Sequence, residues 1–199
     1  MLILCLLVLA LTPFQQAEDL FARYRRFNPT LADYQAQAEV QLDATMGPLQ
    51  DKRTLAGTYY YKREGRHKLE LPDAPSYLKE KANVLGFSLP RLDRYTVKKL
   101  EGKDGAWHLE LLPKTPQGSI QRLEMWFSQK QGTVLEYDTY YNNNGQLLVT
   151  LGYVKAGSYL VPGTMKARVN FPNMGVKGTI AARYSGFKFN RGLRDRVFD

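Results

Sequence analysis

Thiol and imidazole side chains are almost absent from this sequence. The 199 residues include one cysteine, Cys5, and two histidines, His67 and His108. A single cysteine excludes an internal disulfide framework and a thiolate metal site. Two isolated histidines supply too few ligands or bases for the usual metal and nucleophile-elbow mechanisms, and the HExxH, GxSxG and P-loop motifs are also missing. We therefore predict that the protein is not an enzyme and that it holds no metal or other cofactor.

Two other patterns that suggest chemistry are weak. Glu136 and Asp138 share a strand face at positions i and i+2, about 7 Å apart, a spacing that a glycosidase can use. Tyr, Leu and Val occupy the opposite face, so we expect this pair to face solvent. Aromatic residues alternate with Lys and Arg as on a single-strand nucleic-acid platform, but β-strands favour such residues anyway. We expect no nucleic-acid partner.

Long hydrophobic runs are also lacking, with one exception near the start. Residues 2–11 read LILCLLVLAL, which is too short to span a bilayer but has the length of the apolar region of a secretory signal. No Lys or Arg precedes the run, so an uncleaved anchor or a mis-assigned start is the alternative. We predict a signal peptide at residues 1–17, export to the periplasm, and one domain at residues 18–199.

The chain has an excess of positive charge. Lys and Arg number 28 against 19 Asp and Glu, which gives a net charge of +9. Such a surface suits anionic lipid head groups or nucleic acid, and export favours the former. A solvated basic surface with no partner is the alternative.

Apolar and polar residues alternate with period two over most of the chain, as in half-buried strands. Glu18–Phe27 has helical spacing, and a strand from Tyr159 is expected to end at Val161-Pro162. The proline-rich stretch 72–90 interrupts the strands and contains helical spacing of its own, as expected of a lid. We predict a mainly β (α+β) fold, a highly curved antiparallel sheet of about ten to eleven strands with a helical lid.

A curved sheet of that size encloses more volume than its side chains readily fill. Small, methionine and aromatic side chains on its inner face leave room for a flexible apolar chain, and each buried methylene contributes about 0.8 kcal/mol. We therefore expect a cavity that binds an acyl group. The predicted lid residues are Tyr77, Leu78 and Leu85, and the predicted cavity lining consists of Ala36, Ala38, Val40, Leu55, Tyr59, Leu69, Leu109, Leu111, Leu123, Met125, Phe127, Val149, Leu151 and Val169.

The order of these elements is similar to that of a known family. A signal peptide and a helix are followed by a long Tyr/Gln/Ala strand, by LAGTYYYKREGRHKLEL at Leu55–Leu71, by the proline-rich insert and by a closing GLRDRVF. This order resembles the outer-membrane lipoprotein carrier (LolA-like) family, most strongly at Leu55–Leu71 and Asn190–Phe198. The resemblance implies an incomplete β-barrel closed by helices, whose hydrophobic cavity carries lipoprotein acyl chains across the periplasm.

The resemblance also assigns a role to one residue. The family's Lys-Arg pair looks like Lys62-Arg63, and its arginine holds the helical lid by hydrogen bonds, so we expect Arg63 to be the lid latch. Two departures are Glu64 and His67, where family members have a proline and an aromatic residue.

The functional prediction from this resemblance is a periplasmic carrier or chaperone. It would bind the acyl chains of lipoproteins or other lipids and transfer them between envelope membranes as a monomer, with transient contacts to membrane donor and acceptor proteins. The alternative is an envelope sensor or accessory domain that uses the same fold to bind a protein partner.

Overall fold

The computed structural model describes residues 13–63, 65–75, 90–115 and 119–198. In these ranges one α-helix precedes ten strands, with short 3₁₀ turns at Leu92–Arg94, Pro172–Met174 and Asp195–Val197. The helix is α1 (Pro13–Arg26), and the strands are β1 (Asp33–Met46), β2 (Leu49–Lys62), β3 (Arg66–Glu70), β4 (Tyr95–Lys103), β5 (Ala106–Pro113), β6 (Ile120–Ser128), β7 (Val134–Tyr141), β8 (Gln146–Ala156), β9 (Tyr159–Phe171) and β10 (Val176–Phe189). No helix among the described residues has the length and apolar character needed to cross a membrane.

The strands form one open antiparallel sheet. Their order is β3-β2-β1-β10-β9-β8-β7-β6-β5-β4, so the first and last strands lie side by side and β3 and β4 are the two edges. The chain therefore passes from one edge of the sheet to the other between Glu70 and Tyr95. This unclosed sheet with its helix confirms the predicted mainly β fold.

The sheet is strongly curved. One cavity is lined by His67 from β3 and also by Tyr137 from β7, although five strands separate β3 from β7 in the sheet order. At a strand spacing of about 4.8 Å, a flat sheet would hold these two strands about 29 Å apart. Side chains from both can share one cavity only because the sheet bends around it.

The strand register aligns the apolar positions into a continuous inner face. Val40 of β1 lies opposite Leu55 of β2 and Ala182 of β10, and Val149 of β8 lies opposite Tyr137 of β7. All five side chains are buried. Cross-strand neighbours of this kind stabilise a sheet pair by pair, so the period-two pattern of the sequence decides which face becomes the core.

Two predicted boundaries are wrong. The strand predicted to end at Val161-Pro162 continues to Phe171. Pro162 lies opposite Tyr153, where the β8–β9 register shifts, and such irregularities accept a residue that has no N–H. The helix begins at Pro13 rather than Glu18 and therefore includes residues 13–17 of the predicted signal peptide; Ala17 is buried in the core. The signal peptide and its cleavage stay predictions.

The C-terminal segment is held on β1 by a buried carboxylate. Asp33 is only 3% exposed. Its Oδ1 accepts the backbone N–H of Arg191 at 2.8 Å, and its Oδ2 accepts those of Gly192 and Leu193 at 3.1 Å each. These contacts explain why the closing motif of the sequence is part of the domain, because they fix it beside the start of β1.

We expect Asp33→Asn to destabilise the fold by about 1.5–3 kcal/mol, because the amide nitrogen replaces an acceptor that faces backbone donors. Thermal or urea unfolding measures the change. Glu101→Gln is the matched control, since Glu101 forms an exposed ion pair with Lys99 and such pairs contribute little. Equal losses of stability in the two variants would contradict the role of Asp33.

Candidate ligand cavity

A cavity of about 620 Å³ lies between the inner face of the sheet and the region where α1 joins β1. Its walls come from α1 and the loop after it, from both halves of the sheet, and from the residues that lead into β4. The lining residues are Tyr24, Phe27, Asn28, Leu31, Tyr34, Tyr59, Tyr61, Arg63, Gly65, His67, Pro90, Arg91, Leu92, Asp93, Tyr137, Leu151, Tyr153, Leu160, Val161, Pro162, Met165 and Tyr184.

Tyrosine is the most frequent residue in this lining. The rings contact one another: Tyr34 stacks on Tyr61 with centroids 5.0 Å apart, and Tyr59 lies 5.1 Å from Tyr184. Burial raises the pKa of the phenols in this group, so they stay neutral. The cavity therefore combines broad aromatic surfaces with uncharged hydroxyl groups. The seven tyrosines are Tyr24, Tyr34, Tyr59, Tyr61, Tyr137, Tyr153 and Tyr184.

Arg63 fastens the loop that follows α1. Its Nε donates to the carbonyl of Leu31 at 3.0 Å, and its Nη2 donates to the carbonyls of Asn28, at 3.0 Å, and Pro29. Its backbone N–H also donates to the carbonyl of Ala32 at 2.8 Å. The end of β2 therefore holds the whole 28–31 loop through main-chain acceptors, which do not depend on the side chains of that loop.

Asn28 fastens the same loop to the other half of the sheet. Its Nδ2 donates to the carbonyl of Leu160 at 2.7 Å, and its Oδ1 accepts the N–H of Leu160 at 3.2 Å. The backbone of Asn28 has a φ of +53°, a conformation that asparagine adopts more readily than most residues. With Arg63 directly after β2 and Leu160 on β9, the 28–31 loop bridges two strands between which β1 and β10 lie.

Polar and charged groups also border the cavity. Arg91 and Asp93 form an exposed ion pair at 2.8 Å, and the nearby His67 is partly buried. Desolvation lowers the pKa of His67, and a backbone hydrogen bond with Gly65 opposes that shift. His67 therefore borders the cavity as a partly buried residue with a hydrogen bond to the backbone.

The structure places the predicted lining residues in the core, but few of them at the cavity. Thirteen of the fourteen are buried, and Leu151 packs against the core while partly exposed. Only Tyr59 and Leu151 of this set line the cavity, as does Arg63. The twelve that do not are Ala36, Ala38, Val40, Leu55, Leu69, Leu109, Leu111, Leu123, Met125, Phe127, Val149 and Val169.

The position of α1 gives the reason for at least one of these differences. Phe21 and Tyr24 of the helix pack on Phe127, with centroids 6.3 and 5.9 Å from its ring. The helix thus fills space on the inner face that the prediction had left to a ligand.

The predicted lid residues Tyr77, Leu78 and Leu85 lie outside the described residues. The ligand contacts and the lid and latch roles stay predictions.

Sequence reasoning missed most of the tyrosines as lining residues. Tyr34 and Tyr61 are in register with each other. Tyr34 lies two residues from Ala36 and Tyr61 lies two residues from Tyr59, so the period-two pattern of the sequence already placed both on the inner face. Tyr153 was not predictable in this way, because the register shifts between it and Gly152. The alternation along a strand identifies the side chains on the inner face, but only the fold shows which of them border the cavity.

The residues considered for catalysis are occupied by other contacts. Asp138 is 5% exposed, so the prediction that it faces solvent is wrong; it accepts the side-chain N–H of Gln146 at 2.7 Å. Glu136 accepts the hydroxyl of Thr150 at 3.1 Å, and His108 lies 3.3 Å from Glu124. Within the described ranges no group of three or more His, Cys, Asp and Glu residues is arranged to hold a metal ion.

Comparison with known proteins identifies the fold. No family model and no curated protein matches the sequence. A DUF1329 family protein from Desulfovibrio piger superposes with a TM-score of 0.64 at 17% identity, over 95% of this chain and 98% of that one. A putative outer membrane lipoprotein-sorting protein domain from Vibrio parahaemolyticus gives a TM-score of 0.57 at 15% identity, over 92% and 94% of the two chains.

A LolA superfamily protein from Nitrosomonas europaea gives a TM-score of 0.52 at 12% identity, over 96% of this chain and 98% of that one. At such low identities these likenesses concern the fold. They confirm the LolA-like fold that the sequence pattern predicted, over nearly the whole length of the chain.

We expect Arg63→Leu to loosen the 28–31 loop while the sheet stays folded. Arg63 is exposed, so each lost hydrogen bond contributes about 1 kcal/mol, and amides of the loop should exchange with solvent at least about fivefold faster. Hydrogen exchange at Leu31 and Ala32 measures the effect. Arg66→Leu is the matched control, because Arg66 pairs with Asp195 instead of the loop. Unchanged exchange in Arg63→Leu would remove the latch role.

Proposed function

We propose that the protein is a periplasmic carrier that binds the acyl chains of lipoproteins or other lipids in this cavity and transfers them between envelope membranes. The observation that carries the proposal is the cavity of about 620 Å³, lined largely by aromatic and aliphatic side chains beneath a loop tied to two separate strands. Binding rather than catalysis is the activity that such a site supports.

The size and lining of the cavity suit one or more acyl chain segments. Ligand cavities commonly have volumes of roughly 300–1,000 Å³ and are mostly apolar. Each methylene that leaves water contributes about 0.8 kcal/mol, so ten of them contribute about 8 kcal/mol before the entropic cost of binding. The difference between this gain and the entropic cost is small enough for reversible binding. A carrier needs reversible binding because it must also release its ligand.

The fold adds independent support. The chain shares its architecture with a protein described as a putative outer membrane lipoprotein-sorting domain, and the largely apolar lining of its cavity suits an acyl chain. Lipoprotein acyl chains are therefore the first ligands to test, and other envelope lipids are the second.

The outer face of the sheet suits contact with membranes. Lys166 and Arg168 of β9 and Arg183 of β10 are exposed there, and no ion pair among the described residues involves them. Unneutralised cations attract anionic lipid surfaces over about a Debye length, roughly 8–10 Å. This charge would bring the carrier to donor and acceptor membranes without a permanent anchor.

Filling the cavity is expected to weaken acyl binding. Leu151 borders the cavity, so Leu151→Trp adds an indole where the ligand would lie and should weaken uptake of a fluorescent palmitate by about tenfold or more. Fluorescence titration measures the affinity. Leu148→Trp is the matched control on the same strand, because Leu148 lies opposite Asp138 on the other face and should leave uptake unchanged.

Native mass spectrometry of protein from the periplasmic fraction provides a second measurement, in which we expect bound acyl species. A wild-type protein that neither carries acyl species nor takes up the fluorescent palmitate would overturn the carrier function. A complex with an envelope protein that survives delipidation, in place of lipid binding, would favour the sensor or accessory function.

A further inference from the structure

Four tyrosine hydroxyls at the cavity have no hydrogen-bond partner among the residues that the structure describes. They belong to Tyr24, Tyr61, Tyr153 and Tyr184, all of which line the cavity. Among the residues that the structure describes, no side chain or backbone group bonds to them. The cavity therefore exposes hydroxyl groups that the fold itself does not satisfy.

Other tyrosines of the chain do have such partners. The hydroxyl of Tyr159, at the start of β9, accepts the side-chain N–H of Asn190 at 2.9 Å and donates to the carbonyl of Thr30 at 3.4 Å. Buried tyrosine hydroxyls usually find a partner, since leaving one without an acceptor costs about 1–3 kcal/mol. A ligand that covers the four cavity hydroxyls must therefore supply an acceptor if it is to avoid this cost.

The four hydroxyls come from different walls of the cavity. Tyr24 is on α1, Tyr61 on β2, Tyr153 on β8 and Tyr184 on β10. All four side chains border the same cavity. Burial raises the pKa of all four, so they stay protonated near neutral pH and can donate hydrogen bonds.

A pure hydrocarbon ligand would cover these donors without supplying any acceptor. An acyl ester has the same apolar chain and adds a carbonyl oxygen, which accepts up to two hydrogen bonds. The ester carbonyl is neutral, so it can enter the cavity without the large cost of burying a charge. The lining thus distinguishes between apolar ligands that are otherwise equally well buried.

We propose that the cavity selects acyl esters, whose carbonyl groups lie inside it and accept hydrogen bonds from the hydroxyls of Tyr24, Tyr61, Tyr153 and Tyr184. This inference rests on the proposed carrier function and adds the chemical class of the ligand. Two sources share this chemistry: a free glycerolipid and the diacylglyceryl group of a lipoprotein.

Competition binding tests the selection directly. Methyl dodecanoate and pentadecane have the same number of heavy atoms, and each is used to displace the fluorescent palmitate. In the double variant Tyr61→Phe/Tyr153→Phe the cavity keeps its shape but loses two donors. We expect the ester to bind about fivefold more weakly for each lost hydrogen bond, and the alkane to bind as it does to the wild type.

For each compound, the affinity for the variant is divided by the affinity for the wild type. The solubility of the compound cancels in this ratio, so the ratios of ester and alkane can be compared directly. Tyr140→Phe, which removes a hydroxyl on the outer face, is the matched control and should change neither ligand. Equal weakening of ester and alkane would mean that the hydroxyls only shape the cavity, and an unchanged ester affinity would mean that they do not bind it. Either result overturns the inference and leaves the carrier function standing.

A wild-type protein that binds neither compound nor the palmitate would instead contradict the carrier function itself. Native mass spectrometry then separates the two sources. A bound glycerolipid or a bound acylated polypeptide each supports the selection, whereas a bound molecule without a carbonyl acceptor contradicts it.

Discussion

The structure depends on how the 28–31 loop is fixed to two strands of the sheet. Arg63 binds the loop's carbonyls from the end of β2, and Asn28 binds Leu160 at the start of β9. An open sheet has no closed ring of strands to define its curvature, so these contacts across β1 and β10 hold the two halves around one space. The helix that precedes the loop is placed by the same contacts, and the cavity lies beneath their junction.

The sequence predicted the parts of this structure that depend on neighbouring residues. Alternation along Tyr34–Leu42 identifies the inner face, because successive side chains point to opposite faces of a strand, and the register then aligns Val40 with Leu55 and Ala182. Long-range packing was not predictable in this way. Phe21 covers Phe127 and Pro162 lies at a register shift, and neither contact leaves a periodic signal. The cavity lining was therefore predicted less well than the core.

The resemblance at Leu55–Leu71 supplied what periodicity alone lacks, a role for a single exposed side chain. Hydropathy gives no reason to distinguish Arg63 from Arg66, and yet Arg63 reaches the loop after α1 while Arg66 pairs with Asp195. The second resembling segment, Asn190–Phe198, is likewise explained by contacts that begin with Asp33. In both cases a polar side chain binds backbone groups of a distant part of the chain, which fixes the geometry without specifying the sequence of the bound segment.

The cavity has two requirements that oppose each other. Apolar lining favours any hydrophobic ligand in proportion to the area buried, and area alone gives little discrimination between similar chains. Hydroxyl donors weaken the binding of ligands that cannot accept a hydrogen bond. The free-energy penalty for burying an unsatisfied hydroxyl is larger than the net stabilisation from one hydrogen bond. In the proposed carrier, the four unpartnered tyrosine hydroxyls that border the cavity would lower the affinity for plain hydrocarbon, and in exchange they would recognise a carbonyl group that a uniformly aliphatic cavity would not.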